Sequence, residues 1–224
     1  LVLKSLSGVG GGAITKLFDF TSRHGLSSLE DLARCGVQNL PFKKPPASLA
    51  EFLAARDFDV SRLSVEDNLR DLESQGITAI TRISEKYPQR LLALEDPPPF
   101  LFCKGNLQLL QEARAIAVVG TRKISPKGQL IATKTVEAFG SRNFVIVSGL
   151  ALGIDTIAHR AALSCGAPTV AVLVDLGKIS PSKNKQLADE IIENGGLLVA
   201  ENQPGTTTIA ALFAKRDRIQ SGLS

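Results

Sequence analysis

The spacing of apolar and polar positions changes near residue 76 of this chain. Before that point apolar residues recur at helical spacing, for example over residues 47–56 and in a segment that ends at Gly76. After it, short apolar runs rich in valine and isoleucine alternate with segments of helical period, a pattern typical of strands followed by helices. We therefore predict a small helical module over residues 1–75 and an α/β domain over residues 76–224.

The α/β pattern is clearest between residues 115 and 174. Apolar runs at 115–119, 144–147 and 169–174 predict buried parallel strands. Ser125 and Pro126 suit the N-cap and first turn of one helix, and a second helix is predicted to begin near Asp155. Repeated strand, loop and helix units predict a doubly wound, mostly parallel α/β sheet with right-handed crossovers, which a helix over 185–193 and a strand over 196–200 extend.

The first module contains a glycine-rich turn. Residues 8–12 (GVGGG) separate two apolar helical stretches and resemble a helix-hairpin-helix, whose turn can offer backbone N–H groups to a DNA phosphate. The same hairpin also occurs purely as a packing unit, and both interpretations stay open. Further along, residues 64–67 (SVED) match a capping box and predict the start of the helix that ends at Gly76.

Candidate phosphate ligands follow the predicted strands. Ligands of such sheets bind beyond the carboxyl ends of the strands, where small residues let a backbone approach phosphate and helix N-termini present N–H groups. The side chain of Arg122 can grip a phosphate with two parallel hydrogen bonds. The residues that this edge carries are Gly120, Thr121, Arg122, Lys123, Ser148 and Gly149.

Charge and cysteine content narrow the class of protein. Residues 114–224 hold 13 Lys or Arg against 8 Asp or Glu, whereas residues 1–113 hold 13 against 14. The basic excess favours a polyanionic partner for the α/β domain, although ordinary surface charge explains it equally well. No apolar run approaches the ~20 residues of a membrane span. Three widely spaced cysteines without a metal-binding pattern suggest reduced thiols, so we expect a cytoplasmic protein with no metal, cofactor or membrane partner.

One pair of residues has side chains of the types that act in catalysis. Asp155 and His159 are four positions apart, on one face of a predicted helix, and such a pair can bind a metal or relay a proton. However, no third ligand is near in sequence and no nucleophile motif such as G-x-S-x-G is present. We therefore favour an interpretation in which Asp155 caps the helix and His159 packs or hydrogen-bonds within the fold, and we predict that the chain is not an enzyme.

The stretches VGTRK (119–123) and SGLALGIDTIAHRAAL (148–163) closely resemble the DprA/Smf family of bacterial DNA-processing proteins, and SGLS (221–224) matches the end of another family motif. The resemblance implies an extended Rossmann-like domain that binds single-stranded DNA, protects it during natural transformation and hands it to the RecA recombinase, commonly as a homodimer. A family domain continues with further βα units beyond this point, so we expect the C-terminal part of the sheet to be missing.

The resemblance also implies a second set of DNA-binding residues: Lys185, Phe213, Arg216 and Arg218. Phe213 would stack on a base, and the two arginines would lie near the strand. The alternative for Arg216 and Arg218 is that they clamp the strand ends, for instance by pairing with Glu201. Asp217 departs from the family pattern and would repel a phosphate unless one of these arginines neutralises it.

Two other functions fit a phosphate pocket on this fold. Residues 203–207 (QPGTT) share a Pro-Gly with the loop of phosphoribohydrolase-type enzymes, but the second glycine and the glutamate of that loop are missing. A nucleotide-binding module of the same superfamily would use the Gly120 and Gly149 loops for a small ligand. The phosphate loop alone does not separate the three functions, and the matches at residues 148–163 and 221–224 favour the DNA-binding family.

Overall fold

The computed structural model describes the backbone of residues 1–224 and every side chain except that at position 5. The chain divides into two compact units. The first comprises Leu1–Gln75 together with Asp96–Pro99, and the second comprises Gly76–Glu95 together with Phe100–Ser224.

The first unit is helical. Its helices are α1 (Val2–Ser5), α2 (Gly11–His24), α3 (Leu29–Cys35), α4 (Ala47–Ala55) and α5 (Asp59–Ser74). The first part of the glycine run lies in the turn between α1 and α2, where Gly8 has a φ of 77° and Gly10 is the N-cap of α2, and Gly11 and Gly12 begin that helix. Ile14, Leu32 and Leu53 are among its buried apolar residues.

The capping box predicted at residues 64–67 is wrong, because Ser64 lies inside α5, which begins at Asp59. Arg62 pairs with Asp59 at 3.6 Å within the first turn and with Glu30 at 2.6 Å, so ion pairs stabilise helical structure before the serine is reached. A capping box does occur at Ser28, whose hydroxyl accepts a hydrogen bond from the Asp31 N–H at 3.0 Å.

The second unit is built on a six-stranded mixed sheet. Its strands are β1 (Ile77–Thr81), β2 (Phe100–Gly105), β3 (Ala115–Ala117), β4 (Val145–Ser148), β5 (Thr169–Leu173) and β6 (Leu197–Ala200), in the spatial order β1-β2-β6-β5-β4-β3. Strands β3 to β6 are parallel, and β1 and β2 extend the sheet in antiparallel fashion. The mostly parallel sheet predicted from the sequence is confirmed.

Helices cover both faces of this sheet. They are α6 (Pro126–Gly140), α7 (Ile154–Ser164), α8 (Lys185–Glu193) and α9 (Ala210–Gly222). Helices α6, α7 and α8 pack side by side in chain order, whereas α9 packs on β5. Because neighbouring strand residues point to opposite faces, Ile146 packs in one core cluster with Val136 of α6, and Val147 packs in the other with Ile219 of α9. This three-layer arrangement is Rossmann-like.

The first parallel strand differs from its prediction. Residues 115–119 were predicted to form a fully buried strand, but β3 ends at Ala117, is only half-buried, and lies at the edge of the sheet with β4 as its neighbour. Val118 is buried and Val119 is exposed. Because β3 lies at the edge of the described sheet, β4 is its one neighbouring strand there, which agrees with its incomplete burial.

Candidate nucleic-acid interface

The first loop of the candidate site joins β3 to α6. Ser125 caps the helix as predicted, because its hydroxyl accepts a hydrogen bond from the Gly128 N–H at 3.1 Å. Thr121 Oγ1 accepts a bond from the Lys123 N–H at 3.1 Å, which fixes the turn. The residues Gly120, Thr121, Arg122 and Lys123 are all exposed. No acidic residue lies in the first turn of α6, so the positive end of the helix dipole is not neutralised there.

The second loop, between β4 and α7, packs directly against the first. The Ile154 N–H donates a hydrogen bond to the Thr121 carbonyl oxygen at 3.1 Å. Gly153 has a φ of 99°, and a Cβ atom at this position would lie 2.2 Å from the Thr121 oxygen and 2.6 Å from the Arg122 Cα. Glycine is therefore required both by the backbone conformation and by the close approach of the loops. This contact fixes the backbone that carries Arg122.

Asp155 holds the second loop in shape. Its carboxylate accepts hydrogen bonds from the N–H groups of Gly149 at 3.1 Å and Ala151 at 3.4 Å. Burial raises its pKa, while the charge of Arg216 and the backbone N–H donors, including that of Gly120, act in the opposite direction. The N-cap of α7 is Gly153, so the prediction that Asp155 caps the helix is wrong, because its carboxylate bonds to the preceding loop instead.

Two further polar residues of this region point inward. The Ser148 hydroxyl is buried and donates to the Val118 carbonyl oxygen at 2.7 Å, which links β4 to the residue that follows β3. His159 is fully buried, and its Nδ1 lies 2.8 Å from Thr169 Oγ1. Burial, followed by the charge of Arg216, lowers the His159 pKa to about 3. Among the described side chains, no three potential ligands cluster to bind a metal ion.

Helix α9 brings Arg216 and Gln220 against Gly149. Arg216 Nη1 donates to the Val172 carbonyl oxygen at 2.6 Å, and Arg216 Nε forms an ion pair with Asp217 at 3.0 Å. With its amide turned to satisfy its neighbours, Gln220 accepts from Arg216 Nη1 at 2.8 Å and from the Gly149 N–H at 2.7 Å. A Cβ atom on Gly149 would lie 1.7 Å from Arg216 Nη1. The buried guanidinium thus supports the strand ends, and it neutralises Asp217.

Arg218 points to a different part of the edge. Its Nη2 donates to Glu201 Oε1 at 2.9 Å and its Nη1 donates to the Lys215 carbonyl oxygen at 2.8 Å. Glu201 is buried just after β6 and also binds the Lys215 ammonium at 3.2 Å. The pairing with Glu201 that was considered as an alternative is therefore the contact that Arg218 makes in this structure.

Lys185 is held beside the second loop by its neighbour Asn184. The buried Asn184 side chain donates to the Leu150 carbonyl oxygen and to Thr156 Oγ1, each at 2.8 Å, while Lys185 is exposed at the start of α8. The sequence predicted a role for Lys185 but none for Asn184. Phe213 is half-buried on α9, one turn before Arg216.

The structure therefore brings most of the predicted residues to one edge of the sheet. The Gly120–Lys123 loop, the loop that begins at Gly149, and Arg216 meet there, and the charge of Arg122 is close enough to contribute to the lowered pKa of Arg216, after burial. Ser148 and Arg216 have internal hydrogen-bond partners, and Arg218 faces Glu201. Arg122, Lys123 and Lys185 are the exposed cations of the predicted set.

Comparison with known proteins identifies similar chains. A family model described as DNA recombination-mediator protein A matches residues 78–224. The Smf protein of Escherichia coli is 40% identical over 172 residues, which cover 76% of this chain and 46% of that protein. The DNA processing protein DprA of Bacillus subtilis is 38% identical over 151 residues, which cover 67% of this chain and 50% of that protein. The chain thus spans about half the length of these curated relatives.

Solved structures agree with this result. The X-ray structure of DprA from Streptococcus pneumoniae matches with a TM-score of 0.79 and 33% identity, over 99% of this chain and 73% of that one. A structure that describes the single-stranded DNA binding mode of DNA processing protein A from Helicobacter pylori matches with a TM-score of 0.57 and 30% identity, over 66% of both chains. No helix in the described part of this chain has the length and apolar character needed to span a membrane.

Proposed function

This chain belongs to the DprA/Smf family of DNA-processing proteins, and from that premise we propose that its α/β unit binds single-stranded DNA at the carboxyl edge of the parallel strands. The observation that carries the proposal is the exposed Arg122–Lys123 pair on a loop that the Gly153 contact holds in place. A phosphate at this loop meets two cations and the positive end of the α6 dipole.

The proposal divides the predicted residues by their environment. Thr121, Arg122, Lys123 and Lys185 contact the phosphate backbone from exposed positions, whereas the Gly120 N–H is directed to Asp155 and shapes the loop. Phe213 stacks on or wedges against a base. The remaining four, Ser148, Gly149, Arg216 and Arg218, have internal partners and build the edge on which the strand lies. Binding through phosphates is largely independent of sequence and weakens steeply with salt.

The wider role follows from the family. We propose that the whole protein acts in the cytoplasm, protects single-stranded DNA, supports loading of a RecA-type recombinase during natural transformation, and forms a homodimer. It acts by binding, without catalytic turnover or a cofactor. The matched family model describes a DNA recombination mediator, and the relatives include DNA processing proteins. These matches give no support to the alternative of a phosphoribohydrolase-type or nucleotide-binding enzyme.

Fluorescence anisotropy with a labelled oligothymidylate of about 15 nucleotides tests the proposal. The wild type, Arg122→Glu and Arg142→Glu are compared across a salt series, after circular dichroism has shown that each is folded. Arg142 is the matched control because it is exposed and follows the C-terminal end of α6, at the opposite end of the helix from the loop.

We expect tight, salt-sensitive binding by the wild type and by Arg142→Glu. Arg122→Glu should bind at least about tenfold more weakly, the effect of losing one charge-assisted hydrogen bond, and its affinity should depend less on salt. The absence of binding by a folded wild type would refute the proposal for this chain.

A further inference from the structure

Large aliphatic side chains around the Arg122–Lys123 pair are exposed to solvent. Val119 precedes the loop and is 53% exposed, and Ile124 follows it and is 36% exposed. Leu152, on the second loop, is 40% exposed and directly precedes Gly153, whose Cα packs on the backbone of Arg122. Single exposed apolar residues are common on protein surfaces, but here three of them are interleaved with cations at one edge.

The outward position of Leu152 is built into the fold. Leu150 has a φ of 56°, an unusual value for a residue with a side chain, and this turn places Leu150 fully inside the protein. The Asn184 side chain fixes the turn by donating to the Leu150 carbonyl oxygen at 2.8 Å. The loop therefore buries Leu150 and exposes Leu152, two residues later, at a defined position.

Cations and aliphatic groups side by side match the chemistry of a single strand. A single-stranded nucleic acid offers phosphates and unstacked base faces together, whereas a duplex keeps its base faces stacked inside. We infer that Val119, Ile124 and Leu152 bury nucleobases of the strand whose phosphates Arg122 and Lys123 hold, and that these contacts give the edge its preference for single-stranded over double-stranded DNA. The inference rests on the proposed function and adds a second kind of contact to that site.

The test separates base contacts from phosphate contacts. Three probes of equal length are used: an oligothymidylate, an abasic oligonucleotide with the same phosphate backbone, and a duplex. The variant is the double substitution Ile124→Ser with Leu152→Ser, and Ile131→Ser is the matched control because Ile131 is 55% exposed on α6, outside the loops. These loop residues are exposed, so the variant should remain folded, which circular dichroism verifies.

We expect the wild type and Ile131→Ser to bind the oligothymidylate at least about tenfold more tightly than the abasic probe and the duplex. In the double variant, the difference in affinity between the oligothymidylate and the other two probes should fall to about twofold, while the salt dependence stays that of the wild type. Equal, salt-sensitive binding of the oligothymidylate and the abasic probe by the wild type would overturn the inference and leave the proposed function standing. An unchanged ratio in the double variant would also overturn it. If the folded wild type binds none of the probes, the proposed function fails and this inference fails with it.

Discussion

Replacing Gly153 by alanine should destabilise the α/β unit and weaken DNA binding. The backbone at Gly153 has a φ of 99°, in a region that costs a residue with a side chain about 1–3 kcal/mol. The new Cβ would also lie 2.2 Å from the Thr121 oxygen, and separating them by about 1 Å adds the ~1–3 kcal/mol typical of overpacking. The expected loss in the free energy of unfolding is therefore about 2–6 kcal/mol.

Gly166→Ala is the matched control for this experiment. Gly166 also has a positive φ, of 69°, but a Cβ atom there would meet nothing within 4 Å. It should lose only the cost of a left-handed backbone, about 1–2 kcal/mol. Urea unfolding followed by circular dichroism gives the free energies of both variants, and anisotropy with labelled single-stranded DNA gives their affinities.

The two variants should differ in binding as well as in stability. Movement of the Thr121–Arg122 backbone should weaken binding by Gly153→Ala at least about tenfold, because the aligned hydrogen bonds of Arg122 are sensitive to position, whereas Gly166→Ala should bind as the wild type does. If Gly153→Ala is no less stable than Gly166→Ala and binds equally well, the two loops do not constrain each other and the reasoning is refuted.

Two other predictions concern buried polar groups. Arg218→Ala should lower the free energy of unfolding by about 1–2 kcal/mol through loss of the Glu201 pair and leave the salt dependence of DNA binding unchanged; a slope smaller by about 0.7 would show a phosphate contact instead. The pKa of His159 is lowered to about 3, mainly by burial, whereas an unfolded histidine titrates near 6.5. Between these values only the unfolded chain binds the proton, so the contribution of His159 to stability should rise with pH from about 3 to 6.5, by up to about 1.4 kcal/mol per unit. Urea unfolding of His159→Gln at several pH values should show a shallower rise, and an identical slope would contradict the assignment.

Local signals predicted the elements of the α/β unit well. The Ser125–Pro126 pair marks the start of α6, and the predicted helix over 185–193 is α8 itself. Where a local signal competed with contacts from elsewhere, it failed. The serine of the expected capping box lies inside α5, and Arg62, in the first turn of that helix, bonds to Glu30, a residue 32 positions away. Such a contact leaves no trace in the spacing of neighbouring residues.

The candidate site shows the same division. Arg122 and Lys123 could be placed on the ligand edge because parallel strands share the edge at which they end. For Arg216 the sequence left DNA contact and clamping of the strand ends both open, and it could not choose the inward position because the partner, the Val172 carbonyl oxygen, is 44 positions away. Asp155 was assigned a helix-capping role from its position in the chain, whereas its bonds to Gly149 and Ala151 depend on how the preceding loop folds back.

The hydrogen-bonded group around Gly149 has an evolutionary consequence. Gly149, Asp155, Arg216 and Gln220 satisfy one another through the Gly149 N–H and the guanidinium, in a space that admits no further atom at Gly149. A side chain at Gly149 would collide with Arg216, and loss of Asp155 or Gln220 would remove one of the two acceptors of the Gly149 N–H, so a change at one position disturbs the contacts of the others. Homologous sequences should therefore keep all four residues or exchange them as a set, so that these positions co-vary. The exposed lysines of the same edge should vary independently of one another.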